Sequence, residues 1–118
     1  TLLYGYNPDQ VSTSVHDPLH VTALALSSGT STAVMVTVAA GDMQTEYTTS
    51  LRESASRASG VPMENILVSA THTHSAPNVA GMEGWGGIDE PYAENILRPR
   101  LVEAVLEAVE HLEPVTVG

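Results

Sequence analysis

The stretch that most restricts the fold is residues 65–70, a short apolar run without alternation of polar and apolar positions. Such a run reads as a strand covered on both faces in a parallel sheet. A parallel partner is then reached through a right-handed crossover, and the preceding residues can supply one. Over residues 44–59 the positions Tyr47, Leu51, Ala55 and Ala58 recur every three or four residues. Asp42 or Thr45 is available as N-cap, Gly60 follows the last turn and Pro62 lies beyond it. An amphipathic helix is therefore expected here, bringing residues 65–70 beside residues 33–39.

Residues 21–26 and 33–39 are Val-, Leu- and Ala-rich runs separated by Ser27, Ser28, Gly29, Thr30 and Ser31, the pattern of a β-hairpin. Pro91 opens a second helix whose apolar stripe is Ile96, Leu97, Leu101, Val105, Leu106, Val109 and Leu112. Pro99 either kinks this helix near Asn95 or marks the start of its regular part. The order β-β-α-β-α predicts an α/β domain: a mixed sheet with an antiparallel hairpin edge, a βαβ crossover and helices packed on the sheet. The 118 residues suffice for one domain with one core. The chain opens on Thr1 and closes on residues 114–118, which read as the first residues of a further strand. It is therefore expected to be part of a larger domain, with the open sheet edge favouring a homo-oligomer.

Charge removes several function classes. Four Lys plus Arg against fourteen Asp plus Glu give a net charge of −10, so the cationic surface needed for nucleic acid or an anionic membrane is missing. The longest apolar run falls far short of the ~20 residues of a membrane span, so a soluble chain is expected. With no cysteine, a metal would have to sit on His, Asp, Glu or Tyr.

The segment after the apolar run, Thr71-His72-Thr73-His74-Ser75-Ala76-Pro77, carries the strongest chemical signal. In an extended backbone, side chains at i and i+2 share a face, so His72 and His74 would present two imidazoles at the carboxyl end of a strand. In open α/β sheets that end borders the ligand crevice. Imidazole is a common zinc ligand, but a catalytic zinc takes about three protein ligands, and two histidines are an incomplete site. Both could equally be satisfied, half-buried side chains. Asp17 could orient His16 or His20, or simply open a turn before Pro18. Glu83, Asp89 and Glu90 are either oxygen ligands or solvated loop carboxylates. Trp85, among glycines, either lines a substrate entrance or anchors its loop. His111 faces the negative end of the second helix. Ser69 and Ser75 lack the Gly-x-Ser-x-Gly surroundings of a serine hydrolase.

Taken together, residues 65–77 resemble the Thr-His-Thr-His-Ser-Gly-Pro signature of the neutral/alkaline non-lysosomal ceramidase family, in its amino-terminal catalytic domain. Gly5-Tyr6, the segment Val15-His16-Asp17-Pro18-Leu19 and the lead-in Gly60-Val61-Pro62-Met63-Glu64-Asn65 resemble bacterial ceramidase-like proteins as well. The resemblance implies a zinc-dependent hydrolase of sphingolipid metabolism that cleaves the N-acyl amide of ceramide or a similar lipid. It makes His72 a Zn2+ ligand and His74 a residue that contacts substrate or the developing oxyanion. The other ligands would come from the rest of the catalytic domain. Ala76 stands where the family signature has glycine, and Thr22 and Ala39 stand where relatives often carry arginine and aspartate. The alternative is a non-catalytic or regulatory ceramidase-like domain with a weak or absent metal site. Localisation, secreted or cytoplasmic, is left open.

Overall fold

Residues 1–116 are described in a computed structural model. The elements are β1 (Val21–Ser28), β2 (Ser31–Val38), α1 (Thr45–Ser59), a 3-10 turn (Met63–Asn65), β3 (Ile66–Ala70), α2 (Glu90–Tyr92), a π-helical segment (Ala93–Leu97) and α3 (Arg98–Glu110). The strands form one mixed sheet in the order β1-β2-β3. β1 and β2 are antiparallel, with Leu24 opposite Met35, and β2 and β3 are parallel, with Met35 beside Leu67. The chain is thus a mixed α/β fold with a hairpin edge and α1 as the crossover between parallel strands.

The hairpin is tighter than the five-residue loop expected. Ser27 and Ser28 pair with Thr32 and Ser31, and Ser27 Oγ lies 3.1 Å from Thr32 Oγ1. Only Gly29 and Thr30 remain for the turn, and Gly29, at φ 64, supplies the positive φ that two-residue hairpin turns require.

The expectation that β3 is covered on both faces is corrected. Ile66 is buried but Leu67 is 60% exposed. On β2 the buried Val34, Val36 and Val38 alternate with the exposed Ala33, Met35 and Thr37. Helices α1 and α3 lie on the same face of the sheet, where Leu51, Ala55, Leu97, Leu101 and Val105 join the β2 valines and Ile66 in one cluster. The opposite face carries the row Leu24, Met35 and Leu67 in the open.

Neither Asp42 nor Thr45 caps α1. The N-cap is Gln44 without a side-chain bond, Thr45 is the first helical residue, and Asp42 Oδ1 accepts from the Met43 amide at 2.7 Å. The C-terminus is as expected: Gly60, at φ 75, donates its N–H to the Ser56 carbonyl. Arg52 ties α1 to the start of β3, donating from Nε to the Ile66 carbonyl at 2.7 Å and from Nη2 to the Met63 carbonyl at 2.8 Å.

Pro99 does not break the second helix. Backbone angles stay helical from Tyr92 (φ −69, ψ −48) through Leu97 (φ −63, ψ −51), and the wide turns of Ala93–Leu97 close with the Arg98 amide donating to the Ala93 carbonyl, one residue before Pro99, which cannot donate. Leu97, Leu101 and Val105, four residues apart, form the buried stripe, and Ile96 lies off it and is exposed. Leu112 lies past the last turn and is also exposed. Residues 114–116 form no strand, and the expected strand's Val117 lies outside the described residues.

Candidate functional site

The paired histidines follow β3 directly. The Thr71 amide donates to the Val38 carbonyl at 3.0 Å and the Thr73 amide to the Ala40 carbonyl at 3.2 Å, so the chain keeps alongside the end of β2 beyond the last ladder position. Between these bonds His72 sits at φ 63. The extended geometry expected for residues 72–74 is therefore not what joins the two rings. A left-handed residue, which costs a non-glycine roughly 1–2 kcal/mol, swings His72 over its neighbour. The imidazole centroids lie 5.0 Å apart with planes at 85°. His72 is exposed and His74 is half-buried.

Each ring is held by one backbone carbonyl: His72 Nδ1 is 2.8 Å from Gly41 O, and His74 Nδ1 is 3.0 Å from Gly5 O. A carbonyl can only accept, so each neutral ring carries its hydrogen on Nδ1 and keeps a lone pair on Nε2. The same mounting fixes the orientation of metal-bound histidines.

The walls of the site are aromatic. The Tyr4 ring, 4% exposed, has its centroid 5.9 Å from that of His72 and 5.1 Å from that of His74, and stacks on Trp85 at 5.7 Å and 12°. Tyr6, 76% exposed, lies flat against His74 at 4.1 Å and 6°. Trp85 thus both anchors its loop and backs the ring that touches both histidines. The loop itself is held by Asn78, whose side chain is wholly buried. Its Nδ2 donates to the carbonyls of Trp85 (2.9 Å) and Gly86 (3.4 Å), and its Oδ1 accepts from the Ala80 amide at 3.0 Å.

The other sequence candidates lie elsewhere. Asp17 does pair with His16, at 2.6 Å, but both side chains stand in solvent. His20 lines a separate cavity of about 390 Å3 between the start of β1 and α3. Asp89 caps α2 by accepting from the Tyr92 amide at 3.1 Å, and Glu83 and Glu90 are exposed. His111 Nδ1 donates to the Glu107 carbonyl at the end of α3. Ser69 Oγ donates to the Val36 carbonyl, and the Ser75 amide donates to Thr73 Oγ1. Among the described residues no three of His, Asp and Glu converge to hold a metal ion.

Tyr4, Gly5, Gly41 and Asn78 were not singled out as site residues by sequence reasoning. Gly5-Tyr6 was visible only as part of a resemblance, and nothing local marks Gly41 or Asn78, whose partners are distant in the chain. No protein-family model, curated protein or solved structure matches the chain. Among the described residues no helix is long and apolar enough to cross a membrane.

Proposed function

We propose that this chain contributes His72 and His74 to the active site of a zinc-dependent hydrolase acting on the N-acyl amide bond of ceramide or a ceramide-like lipid. The observation that carries the reading is the paired mounting of the imidazoles: both Nδ1 atoms are taken by carbonyls, leaving two Nε2 lone pairs on adjacent rings. The fit to zinc is partial. His72 Nε2 suits the ion, while a catalytic site needs about three protein ligands and the described residues bring no third group to the pair. When bound, zinc supplies Lewis acidity and lowers the pKa of water.

The chain's own residues define the rest. Gly41 O orients His72 as a ligand. His74, with its hydrogen on Nδ1, offers the Nε2 lone pair to the proton that the attacking water releases, and the N–H so formed is held toward the amide oxyanion. Tyr6 offers an exposed aromatic face beside His74 against which an apolar substrate can lie. The two-imidazole donor set also favours a second reading, a ceramidase-like domain that binds metal weakly and does not turn over.

The test is hydrolysis of a fluorescent ceramide analogue by the protein that carries this chain, before and after removal of metal by a chelator. Turnover that is lost with the metal and regained with zinc is the expected result. Zinc-loaded protein that cleaves no N-acyl amide would sink the hydrolase reading in favour of the second.

A further inference from the structure

We propose that Tyr4 is the positioning residue of the histidine pair: its buried ring is the common wall for both imidazoles and locks the backbone carbonyls that fix their tautomers. The inference rests on reading that pair as the reacting centre, and it concerns a residue that acts through the two imidazoles.

Three observations converge on Tyr4. Its backbone is stitched to the segment following the histidines, with the Tyr4 amide donating to the Ala76 carbonyl at 2.9 Å, Leu3 bridged to Pro77, and the Asn78 amide donating to the Leu2 carbonyl at 2.8 Å. Its ring contacts His72, His74 and Trp85 at once. Both carbonyls that receive an imidazole N–H belong to glycines placed by Tyr4. Gly5 is its chain neighbour. Gly41 lies so close that a Cβ there would stand 1.9 Å from Tyr4 Cδ1 and 2.2 Å from Cγ. Position 41 must therefore lack a side chain for the ring to enter, and once the ring is in, Gly41 O is set toward His72 Nδ1. The Tyr4 hydroxyl meets only Met82 Sδ, at 3.9 Å, a weak contact. The aromatic ring, and not the hydroxyl, is what the arrangement needs.

The histidine tautomers can be read directly. In long-range 1H–15N spectra of the histidine-labelled chain, recorded at a pH where the imidazoles are neutral, His72 and His74 of the wild type and of Tyr4→Phe each show one tautomer with Nε2 unprotonated. In Tyr4→Leu both become tautomer mixtures, while His16, His20 and His111 are unchanged. Zinc alone, in competition with a chelator, binds Tyr4→Leu at least tenfold more weakly than wild type and Tyr4→Phe within twofold of it. Tyr6→Ala, which removes a ring stacked on His74 from the solvent side, leaves both tautomers as they were.

A folded Tyr4→Leu with pure Nδ1–H tautomers overturns the proposal, as does a Tyr4→Phe that behaves like Tyr4→Leu. Should Tyr4→Leu fail to fold, the wild type decides. Cross-peaks from a slowly flipping Tyr4 ring to both imidazoles support the assignment, and a freely flipping ring without them refutes it. Failure of the hydrolase reading would appear instead as absent turnover with the wild-type tautomers intact.

Discussion

Asn78 links the histidine segment to the glycine-rich loop, and its removal isolates what a single buried amide contributes. Asn78→Ala leaves two carbonyls and one amide without their partner, so a loss of about 1–3 kcal/mol is expected in denaturant unfolding. Amide exchange across residues 82–89 should rise with it, and an unchanged exchange pattern would mean that the loop is held by other contacts. Two glycines show which residue-scale demands are legible in the sequence. Gly60 could be read from its place after a helical period, and Gly60→Ala, which meets open space but keeps φ 75, should cost about 1 kcal/mol in strain. Gly41 could not be read, because the demand comes from the Tyr4 ring 37 positions away. The left-handed φ of His72 was equally invisible: the motif suggested that the rings meet, but through an extended geometry that the backbone does not adopt.

Between elements, one guanidinium joins the two long helices. Arg98 donates to both Glu94 carboxylate oxygens at 2.7 and 2.8 Å, to the Ser50 carbonyl at 3.0 Å and to the hydroxyls of Ser50 and Ser54 at 3.1 Å, and lies 5.5 Å over the Tyr47 ring. Burial pushes the Tyr47 hydroxyl upward, so it stays protonated and donates to the Ala93 carbonyl at 2.7 Å, within the π-helical segment. The hydrogen bond from Arg98 holds the Glu94 carboxyl below its usual range. A carboxyl depressed in the folded state stabilises above its unfolded pKa, and that gain disappears as pH falls through the folded value. Glu94→Gln should therefore melt lower than wild type at pH 7 and converge with it as pH falls through the depressed folded pKa of Glu94. Because Glu94 is 44% exposed, the difference is expected to be small. A gap that persists at low pH would assign the effect to packing. The apolar stripe of this helix was legible from its spacing. The π-helical segment was not: Pro99 was compatible with either a kink or a late start, and the regular α-helix does begin beside it, at Arg98, but the residues before it are π-helical.

At the scale of the molecule, the order of strands and helices was readable from the change of period along the chain, and the mixed sheet followed. Which sheet face is covered was not readable, because an unalternating apolar run reads the same whether one layer or two lie against it. The row Leu24, Met35 and Leu67 is consequently an exposed apolar patch. Light scattering across a concentration series should show less self-association for Leu24→Thr/Leu67→Thr, with unfolding free energy within about 0.5 kcal/mol of wild type. A large stability loss would mean that this face is covered.

The ligand count sets a further expectation: these 118 residues by themselves hold zinc weakly and cleave no N-acyl amide, as calorimetry and a ceramide-analogue assay would show. Tight one-to-one binding with turnover would require ligands beyond the histidine pair. The division of roles within that pair is read from the zinc content of His72→Ala and His74→Ala in the protein that carries this chain. His72→Ala is expected to lose zinc and activity, and His74→Ala to retain zinc with activity lowered by about 10²–10³. Equal zinc loss in both variants, or zinc retained in His72→Ala, would contradict that division.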